Sequence, residues 1–153
     1  MARKLETESE LRNAAFALLA RREYSRSELE RKLGQRCEEP GLVQQVLDRF
    51  AEDGYQSDER FARVLARSRL GSGYGAMRIR QELRQKGVES TLIEQVLEEE
   101  SSDGYQQALE CCQRRFGDQP PAEPKEYAKR MRFLVNRGFS FDEAKRAILA
   151  GKN

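Results

Sequence analysis

The segment SRSELERKL at residues 25–33 recurs fifty positions later as GAMRIRQEL at residues 75–83. The apolar positions are kept in the second copy, where Ile79 and Leu83 stand in place of two leucines. A weaker third copy runs through residues 131–148, where the spacing of the apolar residues is kept but the residue identities are not. Self-similarity at a fixed period of this length is typical of repeat proteins. The chain therefore predicts a tandem repeat.

Each copy predicts three short helices. In the second copy, Ser57 is a candidate N-cap, and Phe61, Val64 and Leu65 are spaced for one buried stripe of the following helix. A glycine-rich segment at residues 71–75 ends that helix. The next helix stops at Gly87, and a third helix follows from about Ser90; their core residues are Ile79, Leu83, Ile93 and Leu97.

Capping signals support the same division in the other copies. Ser25 and Glu28 have the spacing of a capping box, and so do Ser140 and Glu143. The segment at residues 117–121 is rich in helix breakers and predicts a loop inside the third copy. No segment alternates as a half-buried strand would.

The fold class that follows is all-α, an elongated tandem array of three three-helix repeats. We expect the first repeat, with an N-terminal helix, at residues 1–56, the second at 57–102 and the third at 103–153. The composition agrees, because 38% apolar and 35% charged residues suit small helical units that each bury a narrow stripe.

The chain lacks the residues that several classes of functional site require. The chain contains no histidine, and its three cysteines (Cys37, Cys111 and Cys112) are too few for an all-cysteine zinc site. We expect these cysteines to be helix-packing residues, and we expect no metal, no cofactor and no catalysis. The glycine-rich segment at 71–75 lacks the lysine of a phosphate-binding loop. Because no leader or membrane-spanning run is present, we expect a cytoplasmic protein with no membrane contact.

The charge is unevenly distributed. Residues 58–87 carry a net charge of +5 and residues 88–103 a net charge of −6, although the whole chain is only +2. Helical spacing places Arg60, Arg63 and Arg67 on one stripe, which predicts a surface for a polyanion or an acidic protein groove. A solvated helix face with no ligand is the alternative. The predicted contact face consists of Arg60, Arg63, Arg67, Tyr74, Arg78, Arg80, Arg84, Lys86, Lys129, Arg130 and Arg132.

The second copy resembles the signature of the RecX family of regulatory proteins. The resemblance lies in Asp58-x-Arg60-Phe61-Ala62, then Arg67, then Tyr74-Gly75-x-x-Arg78-Ile79-x-x-Glu82-Leu83-x-x-Lys86-Gly87-Val88. It implies a negative regulator that binds the RecA–single-stranded-DNA filament, and we expect a monomer because nothing in the sequence demands more. By the same resemblance, ATP hydrolysis, strand exchange and coprotease activity of RecA fall as a consequence. It assigns no role to the acidic stretch at residues 89–103.

Two other functions remain open at this point. The segment at residues 42–55 also resembles the recognition-helix region of small winged-helix regulators, which would bind DNA without RecA. A scaffold protein that binds no nucleic acid is the third possibility. The basic residues spread over several helices, which is unlike a single recognition helix.

Overall fold

The computed structural model describes residues 4–101 and 103–150, and this part of the chain forms nine α-helices and no β-strand. The helices are α1 (Glu8–Leu19), α2 (Arg26–Gly34), α3 (Pro40–Glu52), α4 (Asp58–Gly71), α5 (Ala76–Gln85), α6 (Ser90–Glu100), α7 (Gly104–Phe116), α8 (Pro124–Asn136) and α9 (Phe141–Leu149). The all-α prediction is confirmed.

Three separate hydrophobic cores organise these helices. The first core runs from Leu5 to Phe50 and draws on α1–α3, and the second runs from Phe61 to Leu97 and draws on α4–α6. The third runs from Ala108 to Ile148 and draws on α7–α9. Because each core is closed within three consecutive helices, the predicted tandem of three-helix units is confirmed.

Local capping explains where several helices begin. Both predicted capping boxes form: the Ser25 hydroxyl accepts from the Glu28 amide, and Ser140 does the same with Glu143. α1 begins with a third capping box, in which Thr7 is the cap. In each box two amides at the helix start gain acceptors within the chain.

The buried stripe of α4 differs from the predicted one. Phe61 is buried as expected and Leu65 is partly buried, but Val64 is 51% exposed, so its assignment to the stripe was wrong. Ala62 and Ala66 are fully buried instead. These small side chains let α5 and α6 approach α4 closely, and the helix is therefore rotated with Val64 toward solvent.

The units meet through the ends of their second helices. The Ser25 hydroxyl at the start of α2 donates to the carbonyl of Lys86 at the end of α5, at 2.7 Å. The Gly75 amide at the start of α5 donates to the carbonyl of Arg137 at the end of α8, also at 2.7 Å. Each junction therefore joins the partly positive end of one helix to the partly negative end of the next.

The second junction packs backbone against backbone. A Cβ added at Gly75 would lie 2.5 Å from the carbonyl oxygen of Gly138. Gly138 itself has a φ of +104°, which side-chain-bearing residues rarely adopt. Glycine at these two positions allows the Met77 amide to donate to Gly138 at 3.0 Å. The orientation of the third unit against the second depends on this contact.

Candidate binding surface

The predicted basic residues lie on three helices of the second and third units. α4 carries Arg60, Arg63 and Arg67, and α5 carries Arg78, Arg80 and Arg84, with Lys86 at its C-cap. The other three predicted residues, Lys129, Arg130 and Arg132, belong to α8. The structure gives these residues several different environments, so they do not form one uniform cationic face.

The arginines of α4 are paired with the acidic end of α6. Arg67 donates through Nε and Nη2 to the two carboxylate oxygens of Glu100, both at 2.9 Å. Arg63 lies 2.6 Å from Glu99 and also contacts Glu59 and Glu100. The hydrogen bond with Arg67 lowers the pKa of Glu100 and raises the pKa of Arg67. Two of the three arginines of the predicted stripe are therefore neutralised within the unit.

A second pair extends this neutralised area onto α5. Arg80 donates through Nε to Glu94 at 2.8 Å and through Nη2 to the other oxygen at 3.0 Å. The hydrogen bond lowers the pKa of Glu94. The acidic stretch at residues 89–103, to which the sequence alone assigns no role, thus supplies counterions to three of the predicted arginines. These contacts lie at the surface and are at least partly exposed, so dissolved salt weakens them and a polyanion can compete for the arginines.

Arg60 and Lys86 connect the first unit to the second. Arg60 pairs with Glu23 and donates to the carbonyls of Gly54 and Tyr55 at 3.0 Å. Lys86 donates to the buried carboxylate of Glu28 at 3.1 Å. Both side chains act in holding the units together.

The junction carboxylate has three donors. Burial would raise the pKa of Glu28, but hydrogen bonds from Arg22, the Ser25 amide and Lys86 outweigh burial and lower that pKa to about 2. Glu28 is therefore ionised throughout the physiological range. Glu28 and its donors therefore form an internal salt bridge between the first and second units, and we do not assign a ligand site to them.

Three predicted residues are exposed and unpaired. Arg84, Lys129 and Arg132 lie at the surface, and none forms an ion pair with another residue of 4–101 or 103–150. Their charges are available to a ligand without breaking an internal contact. They are the positions at which a polyanion or an acidic surface meets the least competition.

Arg130 is a correction to the predicted face. The residue is only 7% exposed, and its side chain lies inside the third unit. Nη1 donates to the carbonyl of Gln119 at 2.8 Å, Nε pairs with Glu126, and the guanidinium lies 5.3 Å from the Phe116 ring centroid. Arg130 fastens the loop between α7 and α8, so we exclude it from the contact surface. Sequence spacing missed this because the loop lies eleven residues away.

Tyr74 is half-buried and packs against two guanidinium groups. Arg78 lies 4.4 Å and Arg137 4.8 Å from its ring centroid. Arg137 also donates to the Ser72 carbonyl at 3.4 Å, across the junction of the second and third units. Sequence analysis did not assign Arg137 to this junction. A nucleic-acid base that stacks on Tyr74 competes with these cations for the ring.

The remaining chemistry-bearing residues are internal. All three cysteines are buried, as expected for packing residues, and burial raises the pKa of Cys111 and Cys112. The described residues contain no group of three or more potential metal ligands. No helix among them is long and apolar enough to cross a membrane.

Each of the three units matches a protein-family model. The descriptions are RecX first three-helix domain at residues 12–50, RecX second three-helix domain at residues 57–97 and RecX third three-helix domain at residues 102–148. Together these matches span most of the chain.

Curated relatives named "Regulatory protein RecX" agree with the family models. The protein of Chromohalobacter salexigens is 45% identical over 137 residues, which is 90% of each chain. A protein of Pseudomonas putida is 41% identical over 153 residues, covering 100% of this chain and 97% of its own.

Two solved structures share the fold. A crystal structure of RecX from Lactobacillus salivarius superimposes with a TM-score of 0.79 at 19% identity and covers 92% of this chain and 94% of its own. A crystal structure described as regulatory protein RecX gives a TM-score of 0.76 at 21% identity, covering 92% and 70%. At these identities the likeness concerns the fold alone.

Proposed function

The chain belongs to the RecX family of regulatory proteins, and on this premise we propose that it is a non-catalytic negative regulator of the RecA recombinase. It binds the RecA filament on single-stranded DNA and lowers its ATP hydrolysis, strand exchange and coprotease activity. The observation that carries the proposal is the match of all three units, in order, to the three RecX domains. We propose that it acts as a monomer in the cytoplasm.

The tandem construction supports binding along a filament. Each unit has its own core, and short contacts between helix ends fix the position of one unit relative to the next. A preorganised row of modules engages repeated subunits together, so that one contact raises the effective concentration of the next. A ligand of this kind shifts the filament toward the state that it binds better.

The exposed unpaired residues Arg84, Lys129 and Arg132 are the proposed first contacts with DNA or acidic filament walls. The paired arginines Arg63 and Arg67 contribute when phosphate or a partner carboxylate replaces Glu100. Such an exchange breaks the internal ion pair with Glu100. The affinity for a partner therefore depends on the density of that partner's negative charge. A filament presents dense negative charge, whereas an isolated carboxylate does not.

The free-standing DNA-binding alternative receives less support. A winged-helix regulator needs a β-hairpin beside its recognition helix, and residues 4–101 and 103–150 form helices and turns only. The segment at 42–55 that suggested it lies across α3 and the turn after it, with Val43, Val46, Leu47 and Phe50 buried in the first core.

Binding to bare single-stranded DNA and to RecA-coated single-stranded DNA, compared across a salt series, tests the proposal. We expect much tighter binding to the coated strand, and we expect Arg84→Glu with Arg132→Glu to weaken it without changing the melting temperature. Glu98→Lys, an exposed charge change on the acidic helix, is the control that should retain binding. Equal affinity for bare and coated strands would support DNA binding independent of RecA and contradict the proposal.

A further inference from the structure

A groove of about 470 Å³ lies where the second and third units meet. Its apolar walls come from Met77 on α5, Val135 on α8 and Phe141 on α9. These side chains are 54%, 45% and 63% exposed, and they are three of the six large hydrophobic residues that stand exposed in the described chain. Contiguous exposed apolar side chains of this kind mark interaction sites more often than isolated ones do.

The junction of the first and second units occupies the equivalent place in the repeat and has a different surface. The N-caps Ser25 and Gly75 correspond, as do the positive-φ residues Gly87 and Gly138 that follow α5 and α8. Counting from these anchors, the three apolar groove residues are replaced in the first junction by polar ones: Met77 by Ser27, Val135 by Arg84 and Phe141 by Ser90.

The first junction also has a cavity, of about 350 Å³, and it is lined by polar and charged residues. There Glu28 on α2 accepts from Lys86, and Ser27 and Arg31 line the same space. Two junctions at equivalent places in the repeat are therefore built once with polar and once with apolar residues. Because the architecture does not require apolar residues here, their exposure at the second junction needs another explanation.

The rim of the apolar groove carries one cation and no carboxylate among its lining residues. Arg78 is exposed, lies 4.4 Å from the Tyr74 ring centroid and donates to the Asn136 carbonyl at 3.3 Å. These contacts restrict its guanidinium, so little side-chain entropy is lost when it binds an anion. A ligand that suits the groove combines a large apolar side chain with a nearby carboxylate.

We propose that this groove receives an apolar side chain of a RecA subunit, flanked on that subunit by an acidic residue that pairs with Arg78. The inference rests on the proposed function and assigns to it the protein–protein contact. Among the lining residues Phe141 is the one exposed ring on which a base can stack, and the other exposed walls are the non-aromatic Met77 and Val135. One arginine is too little charge to hold a phosphate backbone. Protein is therefore the occupant, and DNA is met by the basic residues elsewhere.

The repeat itself supplies the substitutions for a test. Met77→Ser and Phe141→Ser place the residue of the first junction at the second, and both positions are exposed, so the fold is retained. Leu149→Ser, at the other end of α9 and 56% exposed, is the matched control. Each full-length variant is measured for binding to RecA-coated single-stranded DNA, for binding to bare single-stranded DNA, and for its melting temperature.

We expect Met77→Ser and Phe141→Ser each to weaken binding to the coated strand by about tenfold, as truncation of an interface anchor does. Their binding to bare DNA and their melting temperatures should match those of Leu149→Ser. Wild-type affinity of both variants for the coated strand would overturn the groove proposal and leave the proposed function standing. Loss of binding to bare DNA would show that bases occupy the groove, which also overturns it. Absence of binding between the wild-type protein and RecA-coated single-stranded DNA would instead refute the proposed function.

Discussion

Substitution of Gly75 by alanine tests whether the units must be held in a fixed relation. The new Cβ would lie 2.5 Å from the Gly138 carbonyl oxygen, a backbone atom that can move only if the third unit shifts. Overpacking of this kind costs about 1–3 kcal/mol. The shift also loosens the hydrogen bonds from the Gly75 and Met77 amides, at 2.7 and 3.0 Å, each of which is worth about 0.5–1.5 kcal/mol.

We therefore expect the junction to lose about 2–6 kcal/mol in total. The loss is confined to the junction because each unit keeps its own core. Helicity should be unchanged, whereas hydrogen exchange at the Met77 amide should accelerate by about 30-fold or more, the factor that corresponds to about 2 kcal/mol. RecA inhibition should fall with it, because uncoupled units no longer bind as one preorganised body.

Gly71→Ala is the matched control for this experiment. Nothing lies within 4 Å of a Cβ at Gly71, the last residue of α4, so alanine there is accommodated and favours the helix. If the two variants have the same Met77 exchange rate and the same inhibition, the inferred rigidity of the second junction is wrong.

Three further predictions concern stability, pH and charge. Leu83→Ala, at a fully buried position, should lower the unfolding free energy by about 2–5 kcal/mol in urea denaturation; a loss below that range would show that Leu83 is not a core residue. Because the pKa of Glu28 is lowered in the folded state, its ionised carboxylate stabilises the fold at pH values above 4.5, the ordinary pKa of glutamate. This contribution should disappear as the pH falls toward 2. Urea midpoints between pH 2 and 6 should therefore vary less for Glu28→Gln than for the wild type, and equal slopes would contradict the assignment. Glu100→Gln frees Arg67, while Arg63 keeps its pairs with Glu99 and Glu59, and the change should raise affinity for single-stranded DNA with a steeper salt dependence. Glu98→Gln, which breaks no ion pair within the described chain, should not.

Local sequence signals were sufficient for the fold. The capping pairs at Ser25 and Ser140 and the glycines after α5 and α8 act within a few residues, so their spacing alone places helix ends. The repeat strengthened each prediction, because the same signal recurred at the equivalent position of another copy. Val64 was misplaced because the buried alanines beside it, Ala62 and Ala66, carry too little hydrophobicity to reveal which way α4 faces.

The contact surface was less accessible to sequence reasoning. Whether an arginine is free depends on carboxylates distant in the chain: Arg67 pairs with Glu100, thirty-three residues away, and Arg80 with Glu94, fourteen away. The net charges of +5 and −6 in adjoining stretches were visible, but not that α6 folds its charge back onto α4 and α5. The apolar groove was equally hidden, since it arises only where α5, α8 and α9 meet.

Steady-state ATP hydrolysis by RecA on single-stranded DNA, with this protein added at substoichiometric ratios, tests the central claim most directly. We predict inhibition well below one copy per RecA subunit, because a regulator that shifts the state of a filament affects many subunits at once. Undiminished hydrolysis at every ratio, with the protein shown by its helicity and melting to be folded, would contradict the assignment of this chain as a negative regulator of RecA.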